Sequence, residues 1–338
     1  MSLIQCTSEE RCLVPLIQHE ELVCRNHRDQ RVPALSCSEC AYVGFLPPHD
    51  SELTRYYSEQ YAKGSSDWYN IEADYRDEKV NARADHVADL ARRFFPGRTS
   101  LVTMEVGCAF GGTVAELRRR GFNSYGADLN CDAIRQGVKH GNEFIFSNSA
   151  QSVLLERGQR ANVIYAYHAL EHIPDVRSFL LDIQGCLADR AILQFMVPNG
   201  AYLKAWQSGF DSWNWFAYPD HLHMFSPRSA LCLAETTGLE LLQVKSSRCE
   251  ESLDCIRRSL GWTDEVMPDC VLVSMLEQAL LMDELTMTFC VAGSEIAFEY
   301  APLIEETKQR CSHNAEIEKT LRSLKDVPFI PQPRVASC

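Results

Sequence analysis

Two short groups of histidines lie where a sheet-forming chain would place a reactive centre. His168 and His172 follow one predicted strand, and His221 and His223 follow the next, ahead of a predicted helix. An imidazole with an ordinary pKa of about 6.5 can accept a proton at neutral pH. Side chains two apart in extended chain share a face, so His221 and His223 should point the same way. We predict these two as the first candidates for a general base and His168 as the next, with local packing as the alternative for each.

A second group has the spacing of metal ligands. Cys24-x-x-His27 is followed by Cys37-x-x-Cys40, which gives two short chelating pairs in separate loops. A closed tetrahedral site with four such ligands is structural rather than catalytic. The chain has 15 cysteines, and thiols in a reducing compartment are free, metal-bound or both. We predict a structural zinc held by Cys24, His27, Cys37 and Cys40; the alternative is four unrelated residues in a cysteine-rich chain.

A glycine-containing turn marks a place where backbone can approach a ligand closely. The stretch EVGCAFG at 105–111 lies between a predicted strand, Leu101–Val106, and a predicted helix, Thr113–Arg120. Glycine allows the tight turn, and the helix beyond it begins with free N–H groups. Asp128 ends the second strand, where a carboxylate can accept both hydroxyls of a ribose. Ala109 replaces the second glycine of the dinucleotide pattern G-x-G-x-x-G, which disfavours a nicotinamide cofactor.

Short apolar strands alternate with helices from about residue 101 to residue 197. This pattern predicts a parallel sheet covered by helices on both faces, and later segments extend it with a last, antiparallel strand. The predicted strands are Leu101–Val106, Ser124–Ala127, Glu143–Phe146, Asn162–Tyr167, Ala191–Val197, Leu239–Val244 and Thr286–Ala292. We divide the chain into an N-terminal segment 1–62, a core 63–248 and a C-terminal part 249–338 that contains a helical insert.

In their order along the chain, these motifs resemble class I S-adenosylmethionine-dependent methyltransferases. The glycine turn resembles the first motif of that family and Asp128 its ribose-binding acid, and AYHALEHIP at 166–174 and YPDHLHMFSP at 218–227 resemble later segments. The resemblance spans about residues 70–245. It implies a Rossmann-like α/β fold with a seven-stranded sheet and S-adenosylmethionine as the cofactor. The residues that it implies for cofactor binding are Glu105, Gly107, Cys108, Ala109, Phe110, Gly111, Asp128, Leu129, Asn148, Ser149 and His168.

Charge and hydropathy narrow the range of partners. The formal net charge is −13 at pH 7, whereas nucleic-acid binding needs clustered Lys and Arg, so we expect no nucleic-acid partner. The sequence contains no apolar run long enough to span a bilayer and does not open with a secretory signal. We therefore expect a cytoplasmic protein with no membrane partner, and a homodimer stays open as an assembly.

Three functions stay open at this point. The first is a methyltransferase for a small molecule, with an oxygen, nitrogen or carbon acceptor; an N-terminal zinc ribbon of this kind is a feature of methyltransferases from natural-product and sugar pathways. An aromatic cluster between Trp206 and Tyr218 favours it as a substrate wall or lid, unless the cluster is local core. The second is a protein or peptide methyltransferase whose helical insert binds a polypeptide. The third is a non-catalytic module that binds the cofactor.

Overall fold

The computed structural model describes residues 17–25, 31–37, 40, 42–45, 71–202, 220–247, 253 and 268–323. The strands are β1 Ile17–Arg25, β2 Arg31–Ser36, β3 Val43–Gly44, β4 Val102–Val106, β5 Asn123–Ala127, β6 Ile145–Phe146, β7 Ala161–Tyr167, β8 Leu187–Pro198, β9 His223–Met224, β10 Leu239–Ser247 and β11 Glu284–Val291. The helices are α1 Ile71–Asp74, α2 Asp77–Phe94, α3 Gly112–Arg119, α4 Cys131–Lys139, α5 Ala150–Glu156, α6 Val176–Gln184, α7 Pro227–Thr237, α8 Asp269–Gln278, α9 Glu295–Glu299 and α10 Ala301–Ser323.

The larger sheet has seven strands in the order β10-β11-β8-β7-β4-β5-β6. Strands β4 to β8 pair in parallel, and β11 is antiparallel to both of its neighbours, β8 and β10. The predicted α/β fold with a seven-stranded sheet and a last antiparallel strand is confirmed. Because the carboxyl ends of parallel strands open on one edge, the turns after β4, β5 and β7 lie on the same side of the molecule.

Helices cover the sheet on both faces, and β7 shows why its sequence is apolar throughout. Successive side chains of a strand point to opposite faces. Val163 belongs to the apolar cluster with Val87 and Phe94 of α2, whereas Ile164 belongs to the cluster with Leu180 of α6. A strand that is buried on both sides has no polar face to alternate with an apolar one. One helix in this layer, α5, was not predicted from the sequence.

A second sheet joins the N-terminal part of the chain to the core. Its order is β1-β2-β3-β9, and all three pairings are antiparallel. Strand β9 comes from the segment between β8 and α7, so the partner of β3 lies about 180 residues further along the chain. The backbone N–H of Phe45 donates to the carbonyl of Leu222 at 3.0 Å. The hydroxyl of Ser226 donates to the carbonyl of Cys40 at 2.6 Å.

The C-terminal part adds β11 and α10 to the core. The hydroxyl of Thr307 on α10 donates to the Leu242 carbonyl of β10 at 3.0 Å, which holds the helix against the sheet. The predicted aromatic wall at 206–218 lies outside the described residues, and so does most of the predicted insert, of which α8 is described. Within the described segments, no helix is long and apolar enough to cross a membrane.

Candidate active site

The turn between β4 and α3 needs glycine at two positions. Gly107 and Gly111 have φ angles of +69° and +80°. A Cβ at Gly107 would lie 2.6 Å from the Cβ of Ala169, and one at Gly111 would lie 2.5 Å from the Cγ2 of Ile145. Both the backbone conformation and the close neighbours therefore exclude a side chain. The turn lies directly against the segment that follows β7.

Asp128 stabilises this turn from the end of β5. Its Oδ2 accepts the N–H of Ala109 at 2.8 Å, and its Oδ1 accepts the N–H of Asn130 at 2.8 Å. Ala109 has a φ of +47°, a region that alanine rarely adopts, so this hydrogen bond helps to hold an unfavourable backbone conformation. Burial raises the pKa of Asp128, and the two backbone hydrogen bonds oppose that rise. Each carboxylate oxygen keeps a further lone pair for a ligand hydroxyl.

The residue after Asp128 presents an apolar surface to solvent. Leu129 is 81% exposed, although large apolar side chains of a folded core are usually covered. It lies between the acid and α4, whose first turn is capped by the side chain of Asn130. An exposed leucine beside an acid that is predicted to bind ribose suits contact with a flat apolar ring.

Three residues that were not predicted from the sequence form hydrogen bonds with the backbone of the same turn. The hydroxyl of Tyr75 donates to the carbonyl of Phe110 at 3.0 Å, and the Asp74 carboxylate accepts the N–H of Gly112 at 3.1 Å. The amide of Asn142 donates to the carbonyl of Gly111 at 2.7 Å. No motif marks these side chains, because each reaches the turn from a helix or loop that is distant in sequence.

Other residues that were predicted to bind the cofactor are buried or form hydrogen bonds within the protein. Ser149 is the N-cap of α5, where its side chain accepts the N–H of Ser152 at 3.1 Å, and the side-chain oxygen of Asn148 accepts the N–H of Ser149 at 2.8 Å. Cys108 and Phe110 are buried. Glu105 is 3% exposed in β4. Burial raises its pKa to about 8; Arg83 and Lys79 act to lower this pKa, and Asp74 and Asp128 to raise it.

The segment after β7 holds an imidazole between two carboxylates. His168 has a φ of +53°, so its backbone is strained where the strand ends. Its Nε2 forms a hydrogen bond with Glu284 Oε1 at 3.2 Å. Its Nδ1 lies 3.4 Å from Glu171 Oε1, and this second contact is an ion pair that lacks hydrogen-bond geometry. Burial acts to lower the pKa of His168, but the two carboxylates raise it overall.

Glu171 and two further histidines form the most buried part of the cluster. The ligand-capable atoms of Glu171, His172 and His221 all lie within 4.8 Å of one another. Glu171 is fully buried, and the two histidine rings meet edge to face with centroids 4.8 Å apart. The Nδ1 of His172 lies 2.6 Å from the carbonyl oxygen of Asp220. Burial acts to lower the pKa of His172, but Asp220 and Glu171 raise it to about 9.

His223 does not support the prediction of a general base. Its Nδ1 lies 2.5 Å from the hydroxyl of Tyr42 and its Nε2 lies 2.8 Å from the carbonyl of Ile173. A carbonyl oxygen can only accept, so Nε2 carries the proton and Nδ1 accepts from Tyr42. Burial lowers the pKa of His223 to about 4. Both ring nitrogens therefore hold β9 in place, whereas His221 and His168 lie in the polar cluster.

Comparison with known families gives a match over the region that contains the turn, Asp128 and the histidines. Residues 78–244 match the model of a methyltransferase domain family. The chain contains a methyltransferase domain. The match covers β4 to β10, and therefore contains the glycine turn, Asp128 and the histidine cluster.

Three solved structures that are similar to this chain are themselves methyltransferases. An S-adenosylmethionine-dependent methyltransferase from Clostridium acetobutylicum is 9% identical, with 72% of this chain and 99% of that chain covered and a TM-score of 0.43. The magnesium protoporphyrin IX methyltransferase of Synechocystis is 11% identical, with 72% and 98% covered and a TM-score of 0.41. The plantazolicin methyltransferase BpumL is 13% identical, with 72% and 98% covered and a TM-score of 0.45. A comparison with curated proteins gave no match.

Among the predicted zinc ligands of the methyltransferase, Cys24 lies far from Cys37. Cys24 on β1 pairs with Val32 on β2, and Cys37 follows the opposite end of β2. An extended strand rises about 3.3 Å per residue, so these two cysteines lie about 16 Å apart, far beyond ligands that share an ion at about 2.3 Å. Cys37 and Cys40 are buried, and His27 lies outside the described residues. This register does not support a zinc site with Cys24, His27, Cys37 and Cys40 as its four ligands.

Proposed function

We propose that the enzyme binds S-adenosylmethionine at the turn 107–111 and at Asp128, and methylates a small molecule placed against His168 and His221. The contact between the donor turn and the histidine segment carries this proposal. Ala169, the residue after His168, lies so close to Gly107 that a Cβ there would meet it at 2.6 Å. A donor in the turn and an acceptor at the histidines would therefore be neighbours at one edge of the sheet.

The residues of the turn fit the proposed donor. Gly107 is partly exposed in the turn, the Asp128 carboxylate has acceptor capacity for ribose hydroxyls, and Leu129 offers an exposed apolar side chain for the adenine. S-adenosylmethionine supplies a methyl group that its cationic sulfur already activates. The task left to the protein is to hold the acceptor atom in line with that methyl group, a contribution of several powers of ten in rate.

The surroundings of the histidines favour a small acceptor. Strand β3 pairs with β9 immediately beside His221, and Tyr42 and Phe45 bond to the same segment. The N-terminal sheet therefore covers one side of the site. A net charge of −13 disfavours polyanionic acceptors such as nucleic acid. A protein or peptide acceptor is the second candidate, because part of the chain after β10 could contribute a binding surface.

A labelled methyl donor tests the acceptor class directly. The full-length enzyme is incubated with a cell extract that has been separated into metabolite and protein fractions. We expect label in the metabolite fraction, and none when Asp128→Ala replaces the wild type. Label confined to the protein fraction would favour the second candidate. Label in neither fraction, with donor binding intact, would favour a module that binds the cofactor without catalysis.

A further inference from the structure

Glu171 is a buried carboxylate whose oxygens lack hydrogen-bond donors. The side chain is fully buried, and neither Oε1 nor Oε2 has a hydrogen-bond partner among the described residues. The His168 ring at 3.4 Å is its ion-pair neighbour. A buried ionised carboxylate normally accepts several hydrogen bonds, since leaving its charge unsolvated costs several kcal/mol or more. Among the described residues, the lone pairs of Glu171 therefore have room for a cationic ligand.

The atoms opposite these lone pairs have the chemistry of metal ligands. Glu171, His172 and His221 each offer one ligand atom, and these atoms lie within 4.8 Å of one another. Ligand atoms on one ion of zinc size are about 3–3.5 Å apart, so a contraction of about 1 Å would complete the set. Two imidazoles with one carboxylate suit zinc, iron(II) and related divalent transition ions, whereas magnesium and calcium prefer an all-oxygen set.

The second ring nitrogen of His172 shows the arrangement that metal-binding histidines require. Its Nδ1 lies 2.6 Å from the backbone carbonyl of Asp220, so Nδ1 must donate, and in the neutral ring Nε2 provides the lone pair. Metal-ligating histidines usually donate their other N–H to a carbonyl or carboxylate in this way, which fixes the tautomer and the ring orientation. The N–H of Leu222 donates to the Glu171 carbonyl at 2.9 Å, which ties the segment carrying His221 to the one carrying Glu171.

From these observations we infer that Glu171, His172 and His221 bind one divalent transition-metal ion. This site is distinct from the cysteine-containing set that the register of β1 and β2 separates. Two of its ligands, Glu171 and His172, are two and three positions along the chain from Ala169, which contacts the donor turn. An ion there can polarise an oxygen of the acceptor, a role that rests on the proposed function, whereas metal binding itself does not. His221 then acts as a ligand rather than as a general base, and His168 is the positioning residue beside Glu171.

Cobalt(II) added to the metal-stripped, full-length enzyme tests the site. We expect one Co²⁺ per chain with visible d–d absorption and without the intense near-ultraviolet bands of thiolate ligands. Glu171→Gln and His221→Asn should weaken Co²⁺ binding by at least about tenfold. His313→Ala removes an exposed histidine on α10 and should change nothing. The double variant Cys37→Ser/Cys40→Ser should keep the spectrum, because thiolates take no part.

Two outcomes would overturn the inference. One is a wild type that binds no Co²⁺, and the other is a spectrum that is lost with the cysteines but kept in Glu171→Gln and His221→Asn. Circular dichroism establishes whether each variant is folded, and His221→Asn carries the test if the buried Glu171→Gln does not fold. Calorimetry with S-adenosylmethionine on the same proteins separates the two ideas. Donor binding without Co²⁺ binding would refute the metal site and leave the methyl-transfer proposal intact.

Discussion

Asp128 combines a structural role with the proposed binding role in one side chain. Its two oxygens hold the N–H groups of Ala109 and Asn130, and their remaining lone pairs face the proposed ribose position. The acid therefore fixes the strained turn before any ligand arrives. This double use explains how a turn with alanine at φ +47° keeps the shape that a third glycine would adopt without strain.

Replacing Asp128 by alanine should weaken S-adenosylmethionine binding by at least about 100-fold. Each hydrogen bond to a charged acceptor contributes about 1.5–3 kcal/mol, and two are lost. Isothermal calorimetry on the purified variant measures the effect. Asp89→Ala, which removes an exposed acid of α2, is the matched control and should bind like the wild type. Equal affinities for the two variants would contradict the donor site.

Tyr42 and His223 form a buried pair whose role is stability. Tyr42→Phe removes the only hydroxyl that donates to Nδ1 among the described hydrogen bonds, and leaves a buried acceptor unsatisfied. The free energy of unfolding should fall by about 1–3 kcal/mol, as measured by denaturant titration. Tyr300→Phe breaks a tyrosine-to-carbonyl bond at a more exposed position and should cost less. If Tyr42→Phe left the free energy of unfolding unchanged, His223 would again be a candidate for the general base.

At the scale of elements, the start of α7 joins the two sheets. Ser226 and Ser229 form a reciprocal capping box, with bonds of 3.0 Å and 2.8 Å between side chains and backbone. The same Ser226 hydroxyl donates to the carbonyl of Cys40. One residue thus begins a core helix and anchors the N-terminal segment beside the histidines.

Ser226→Ala should therefore destabilise the protein more than an ordinary loss of a helix cap. A lost N-cap costs about 0.5–2 kcal/mol, and an unsatisfied buried carbonyl costs about 1–3 kcal/mol more. Ser149→Ala, which removes the cap of α5, is the matched control because the hydrogen bonds of the Ser149 side chain among the described residues stay within its own helix. Denaturant unfolding compares the two. Equal losses would mean that the bond to Cys40 contributes nothing.

At the scale of the whole molecule, the burial of Glu105 couples folding to pH. Burial raises the pKa of this carboxyl from 4.5 to about 8. Between these values the folded chain keeps the proton and the unfolded chain loses it. The unfolded state therefore binds fewer protons, and this group's contribution to stability falls as pH rises through the window, then levels off above the folded pKa.

Glu105→Gln removes this dependence because glutamine resembles the protonated acid. The free energy of unfolding of the variant relative to the wild type should increase by about 2.5 kcal/mol between about pH 5.5 and about pH 7.5, at up to about 1.4 kcal/mol per unit. Denaturant titrations of the ligand-free protein at both pH values measure it. In Glu116→Gln the difference should stay constant, since the arginine neighbours lower the pKa of Glu116 to about 2, outside that range. A constant difference for Glu105→Gln would mean that its pKa is ordinary.

The sequence by itself determined the seven-stranded sheet, the glycine turn and the place of Asp128. These features depend on local patterns: apolar runs bounded by turns, glycine where φ is positive, and an acid at the end of a strand. The helix α5 was not predicted because it spans only two turns, too few for a repeating apolar pattern to show in the sequence.

Only the tertiary structure decided which histidines lie together and how Cys24, Cys37 and Cys40 are arranged. His221 and His223 are two residues apart, yet one joins Glu171 and His172 while the other bonds to Tyr42, 181 positions away in sequence. The zinc prediction depended on two chelating pairs, and the register of β1 with β2 separates Cys24 of the first pair from Cys37 of the second. Spacing along a chain constrains near neighbours, whereas contacts between distant segments depend on strand register and packing, which no short motif encodes.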